Sequence, residues 1–157
     1  MFKPLRATSA AFLVLCVLWP LSAVRADQRL LPLLVDLDGW QGEKPVSMDF
    51  STTAIRDYRR GSAQLRASVI IGQVVEAMLV PAGINIKTSE NHVITDTMRG
   101  MTVMNNFNTK HKFGTLTVAL SKNAMFALDY KGVSEKEVLQ LAEKFDWKAL
   151  QAAAAAQ

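Results

Sequence analysis

Residues 114–150 constrain the fold most strongly, because two alternating strands are followed at once by a capped amphipathic helix. Large apolar side chains occupy every second position of both strands, the pattern of strands with one buried face. A three-residue loop at 122–124 would pair Leu120 with Phe126 and give all of these side chains a common face. They are Leu116, Val118, Leu120, Phe126, Leu128 and Tyr130.

The helix after this hairpin is predicted to begin at Ser134. Glu137 follows three residues later and completes a capping box, in which each side chain bonds the backbone N–H of the other residue. Apolar residues then recur at helical spacing and make one stripe. They are Val138, Leu141, Ala142 and Phe145. We expect this stripe to cover the apolar face of the preceding hairpin.

The rest of the chain predicts further short strands and helices. Residues 52–72 indicate a hairpin with its turn at Arg60-Gly61, which pairs Tyr58 with Ala63 and sets Arg56 against Leu65. Strands are predicted at 92–98 and 101–108, with a brief extended piece at 84–86 and short helices within 27–40 and 73–80. The predicted fold class is α+β, an antiparallel sheet of five or six strands with helices packed on one face.

The first 26 residues have the pattern of a cleaved signal peptide. Lys3 and Arg6 precede an apolar run, 10–21, that is too short to span a bilayer, and Ala26 provides a small residue at the cleavage position. We therefore expect a periplasmic or secreted protein, with an uncleaved anchor as the alternative. The predicted organisation is a signal peptide at 1–26, a single domain at 27–150 and an alanine-rich tail at 151–157.

Cleavage after Ala26 would change both the charge and the cysteine content. It removes Lys3, Arg6 and Arg25 and lowers the formal net charge from +4 to +1. A nearly neutral exported chain argues against a nucleic-acid partner. The single cysteine, Cys16, lies in the removed segment, so the mature chain would have no disulfide and no thiolate ligand.

A methionine-rich segment is the first candidate site. Met98, Met101 and Met104 could bind Cu(I) or Ag(I) through their thioethers, with His92 and His111 adding imidazole nitrogens. The alternative is core packing, because methionine fills irregular gaps in protein interiors. No other cofactor is predicted.

The two histidines are also candidate general bases. His92 and His111 would need an orienting acid, for which Asp96 or Asp129 is available by sheet position. No nucleophile motif accompanies them. An enzyme of unknown reaction is therefore only the third hypothesis, and no catalytic residue is assigned.

The first hairpin carries a cluster of arginines around one tyrosine. These residues could bind an anionic ligand or an acidic partner surface, or could simply be a solvated edge that deters strand pairing. They are Arg56, Tyr58, Arg59, Arg60 and Arg66. The leading hypothesis is accordingly a non-enzymatic exported domain that binds an envelope protein or a small ligand, with no transmembrane segment after the signal peptide.

Overall fold

The computed structural model describes residues 27–48, 52–72 and 83–156. Its main element is an antiparallel sheet of nine strands in the order β1-β3-β4-β9-β8-β7-β6-β5, with β2 also paired to β3. The strands are β1 (Gln41–Gly42), β2 (Val46–Met48), β3 (Thr52–Arg60), β4 (Ala63–Ile71), β5 (Asn85–Lys87), β6 (Asn91–Met98), β7 (Met101–Asn108), β8 (Phe113–Ser121) and β9 (Ala124–Lys131). The predicted signal peptide and the predicted helix at 73–80 lie outside the described residues.

The helices of the described ranges are short. A turn of helix, α1 (Asp27–Leu30), leads into a 3-10 helix, Leu31–Leu33, and two longer helices, α2 (Glu135–Ala142) and α3 (Trp147–Ala155), end the chain. The longest of them, α3, has nine residues. Since about 20 apolar residues are needed to cross a bilayer, no helix of the described part could do so.

The predicted fold class was wrong. About half of the described residues lie in strands and about a fifth in helices, so the chain is an open, mostly β structure rather than a five- or six-stranded α+β domain. Two of the missed strands, β1 and β2, are two and three residues long and lie in a segment rich in turn residues. Both pair with β3. Tertiary pairing therefore creates strands that local alternation does not reveal.

The first hairpin has a different register from the predicted one. Gly61 and Ser62 form the turn, so Arg60 pairs with Ala63 and Tyr58 with Leu65. The shift of two residues keeps each side chain on its predicted face, and it pairs Tyr58 directly with Leu65 on the buried face. It also removes the unfavourable pairing of Arg56 with Leu65, because Arg56 now lies opposite Ala67.

The last hairpin pairs Val118 with Phe126 and Leu116 with Leu128, two residues away from the predicted register. An irregularity between Ala119 and Ser121 absorbs the extra residue. Because the strand period is two, this shift keeps side chains on their predicted face. The prediction of a shared buried face is confirmed, since all six large side chains are buried in one core.

The predicted C-terminal helix is divided in two. Ser134 caps α2 and accepts from the Glu137 amide as predicted. The Glu137 carboxylate, the other half of the predicted capping box, pairs with Arg60. A second helix, α3, begins after Asp146. The Asp146 carboxylate accepts from the Ala149 amide at 3.0 Å. The Trp147 indole N–H donates to the Ala142 carbonyl at 2.9 Å and joins the two helices.

The core lies between these helices and one face of the sheet, which we call the helix side. Contacts join α2 to β9, α3 to β8 and β9, and α1 to β3 and α3. The helix side includes Leu116, Phe126 and Leu128. The opposite face, which we call the outer side, carries the intervening residues of the same strands, such as Thr115 and Thr117.

Candidate ligand-binding site

A cavity of about 340 Å³ lies on the helix side between α2 and strands β6 and β7. Its walls are mainly apolar, and a few polar side chains reach into it. This combination is typical of small-molecule sites, which usually have volumes of 300–1,000 Å³. The lining residues are Ile94, Asp96, Met98, Val103, Asn105, Glu135, Lys136 and Leu139. We call it the α2 cavity.

The carboxylate of Glu135 is fixed by side chains from two strands. Its Oε1 lies 2.9 Å from Nδ1 of His92 on β6, and its Oε2 accepts a longer bond of 3.5 Å from Nδ2 of Asn105 on β7. His92 and Glu135 are both about a quarter exposed. Because α2 begins at Glu135, these bonds also tie the start of the helix to the sheet.

Asn105 is itself oriented by Tyr130, whose hydroxyl donates to Asn105 Oδ1 at 2.8 Å. Both residues are buried. Burial raises the pKa of Tyr130 to about 12, and the negative charge of Glu135 acts in the same direction. The phenol therefore stays protonated at neutral pH and remains a donor. This bond leaves the Asn105 amide nitrogen directed at Glu135.

Gly114 makes room for this arrangement. It pairs with Tyr130 and with Phe107, whose ring stacks on Tyr130 at 5.9 Å. A Cβ at position 114 would lie 2.5 Å from the Tyr130 hydroxyl and 2.6 Å from the Asn106 carbonyl. The absence of a side chain lets Tyr130 lie across β8 and reach Asn105 on β7.

The two histidines are not brought together. His92 faces the helix side, where Glu135 takes the place of the predicted acid partners. His111 lies in the β7–β8 turn, exposed, with its ring stacked on Phe113 at 6.2 Å. Asp129 instead accepts from the Thr115 hydroxyl at 2.6 Å. In the described part of the chain, no hydroxyl bonds to His92 as a nucleophile would.

The methionines lie on both faces of the sheet. Met98 and Met101 pair across the β6–β7 turn, and both pack against the core. Met104 points to the outer side. His92 is six residues from Met98 along β6, or roughly 20 Å. The structure thus does not gather the five predicted metal ligands, and among the described residues no group of three His, Cys, Asp or Glu side chains could hold a metal.

The five predicted arginine and tyrosine residues lie on the β3–β4 hairpin, which we call the arginine hairpin. Two of them, Arg56 and Tyr58, make internal hydrogen bonds. The Arg56 side chain is only 11% exposed, contacts Asp36, and donates to the carbonyls of Glu43 at 2.8 Å and Leu34 at 2.6 Å. The Tyr58 hydroxyl donates to the Val35 carbonyl at 2.7 Å, and burial raises its pKa to about 12. Both residues therefore hold the N-terminal segment on β3.

The other three arginines are divided between the two faces. Arg60 lies on the helix side, pairs with Glu137 and stacks over Trp40. Arg59 and Arg66 point to the outer side. There Arg66 makes a two-bond pair with Asp57, at 2.7 and 3.0 Å, while Arg59 lies 3.6 Å from Glu43. The five predicted residues do not form a single patch.

No protein-family model, curated protein or solved structure matches this chain significantly.

Sequence reasoning missed Glu135, Asn105 and Tyr130 as site residues. In the sequence, Glu135 has the position of an ordinary acidic residue in the first turn of a helix, and Tyr130 is predicted to be a core residue. Neither pattern indicates a site. Their meeting depends on α2 crossing back from β9 toward β7 and β6. Asn105 lies two residues from Val103 on the same face of β7, and this was a usable signal, because it places an amide on a buried face, where it needs a partner.

Proposed function

We propose that this protein is an exported, non-enzymatic domain that binds a small ligand in the α2 cavity. The supporting observation is the cavity itself, which combines apolar walls with the fixed carboxylate of Glu135 and the buried amide of Asn105. Its polar groups are positioned by neighbours before any ligand arrives. Such preorganisation lowers the ordering cost of binding.

The outer side supports a ligand site less well. It carries wider depressions, of about 590 and 370 Å³, that open to solvent. Asp57 and Arg66 there already pair with each other, and Asp129 accepts from the Thr115 hydroxyl. The α2 cavity is more enclosed, so a ligand there would lose more of its contact with water.

The proposal is tested by filling the cavity. Leu139→Trp places an indole at the cavity wall, and Leu141→Trp is the matched control, because Leu141 is a half-buried residue of the same helix that does not line the cavity. A fragment library is screened by NMR against the wild type and both variants. We expect hits that shift the signals of Ile94 and Val103, and that Leu139→Trp alone abolishes. Hits that survive in Leu139→Trp, or none at all, would contradict the proposal.

Export is a separate part of the proposal. The full-length protein is expressed in a bacterial host, fractionated, and sequenced from its N-terminus. We expect periplasmic protein that begins at Asp27, because Ala26 ends the predicted signal peptide. Protein that retains Met1 in the membrane fraction would show an uncleaved anchor instead.

A further inference from the structure

The α2 cavity has two carboxylates in its lining, and each is held in place. Glu135 bonds His92 and Asn105, as described above, and Asp96 accepts from the Thr97 amide at 2.7 Å. An ionised carboxylate has about four acceptor sites. Each therefore keeps acceptor sites that these bonds do not use, and only a donor can fill them.

The remaining walls suit an unbranched hydrocarbon. Ile94, Val103 and Leu139 present aliphatic carbons, and Met98 adds a flexible thioether that adapts to irregular shapes. None of these side chains can hydrogen-bond strongly. Each methylene of a ligand that moves from water onto such walls raises the affinity roughly fourfold.

The lining carries a formal charge of −1, because Lys136 offsets only one of the two carboxylates. Lys136 is exposed, and its flexible stem lets its ammonium group stay in water. Glu135 is partly desolvated, so its field acts more strongly on a group inside the cavity than a surface charge would. An anion placed beside Glu135 would be repelled, whereas a cation would gain a charged hydrogen bond.

We propose that the α2 cavity selects small aliphatic amines, with the ammonium group donating to Glu135 and the hydrocarbon chain lying along Met98, Val103 and Leu139. This inference rests on the proposed function, because it names the ligand class of the same cavity. Asp96 lies two residues along β6 from Ile94 and provides a second acceptor for longer or doubly charged amines.

Three probes of equal length test the charge selection. Hexylamine, 1-hexanol and hexanoate are titrated into the full-length gene product, purified as the cell processes it, at neutral pH and low salt. Calorimetry gives the affinities and NMR locates the site. We expect hexylamine to bind at least fivefold tighter than 1-hexanol and hexanoate to bind most weakly. Added salt should narrow the difference between the two charged probes.

Two variants with opposite expected effects on the affinity for hexylamine distinguish a change in the site from a loss of folding. Glu135→Gln should weaken hexylamine at least fivefold and leave 1-hexanol nearly unchanged, while Lys136→Gln should strengthen hexylamine about twofold. Glu143→Gln is the matched control, since it removes the same charge from an exposed residue outside the cavity. A gain of affinity in Lys136→Gln cannot come from a damaged fold.

The outcomes separate this inference from the proposed function. Equal or tighter binding of 1-hexanol or hexanoate in the cavity would overturn the amine selection and leave a ligand site standing. Hexylamine binding that survives in Leu139→Trp would place the amine elsewhere and overturn the inference. If no probe and no fragment shifts the NMR signals of the cavity residues, both the amine selection and the proposed ligand site are contradicted.

Discussion

The arginine hairpin and the α2 cavity both concentrate charged side chains, but they use them differently. In the hairpin, Arg56 is surrounded by carbonyls of the N-terminal segment and Arg66 is paired with Asp57. In the cavity, Glu135 is fixed by His92 and Asn105 and still faces open space. A charge whose partners are all internal stabilises the fold, while a charge fixed beside an apolar cavity is available to a ligand.

The difference follows from where each charge lies in the fold. Arg56 lies on the helix side of β3, against which the chain segment around Leu34 and Glu43 folds. Glu135 begins a helix that is supported at its far end by α3, through the Trp147–Ala142 bond. The start of α2 therefore stands over β6 and β7 on polar contacts, and the space below it is not filled by core side chains.

The largest predicted effect is on the hairpin. Arg56→Ala should lower the free energy of unfolding by about 3 kcal/mol, because it removes a buried guanidinium and leaves the carbonyls of Leu34 and Glu43 without their donor. Arg59→Ala should change it by less than about 0.5 kcal/mol, since Arg59 is 67% exposed. Urea denaturation of both variants measures this. Similar losses in the two would mean that the arginines are equivalent surface charges.

The next effect concerns the support of the cavity. Gly114→Ala should lower the free energy of unfolding by about 2 kcal/mol, because the added methyl group overlaps the Tyr130 hydroxyl and the Asn106 carbonyl. Gly72→Ala is the matched control, since a Cβ there meets no atom within 4 Å. Thermal unfolding compares their stabilities. An unperturbed Gly114→Ala would refute the close packing of Tyr130.

Alkaline pH should reveal the buried phenols. The pKa values of Tyr58 and Tyr130 rise from the ordinary value of about 10 to about 12. Their contribution to stability is thus fully present below about pH 10 and is lost as the pH rises toward 12. Tyr130→Phe should lower stability by about 1 kcal/mol at pH 8 and make the alkaline loss less steep. A slope equal to that of the wild type would mean that Tyr130 ionises freely.

The smallest effect concerns the methionines. Met104→Leu should change stability by less than about 1 kcal/mol, because the volume is nearly conserved. It should also leave any Cu(I) affinity unchanged, since Met104 lies on the opposite side from Met98 and Met101. Titration against a competing chelator measures this. A saturable Cu(I) site that disappears in Met104→Leu would restore the soft-metal hypothesis.

Alternation along the chain predicted the strands β6 to β9 and the buried face of the last hairpin, and the capping-box spacing predicted the cap at Ser134. These depend on local chemistry, since the strand period assigns faces and the capping box marks a helix start. The exact pairings did not follow, because a shift of two residues preserves every face. Strands β1 and β2 could not be predicted either, since only β3 makes them strands.

The candidate site was harder to predict than the fold. Sequence clustering pointed to the arginines and methionines, which the structure divides between two faces. The cavity instead joins residues that are distant in sequence, such as Ile94 and Leu139, and enclosure is a property of packing. His92 was a candidate metal ligand and general base, but its partner in the structure, Glu135, lies 43 residues away.

The most direct test is to locate an amine in the protein. Crystals soaked with 6-bromohexylamine would show the bromine by anomalous scattering and the amine by its electron density. We predict a bromine between Met98 and Leu139, with the amine nitrogen within hydrogen-bond distance of Glu135. A bromine bound at the arginine hairpin or on the outer side, with the α2 cavity empty at saturating amine, would contradict the assignment of the cavity as the binding site.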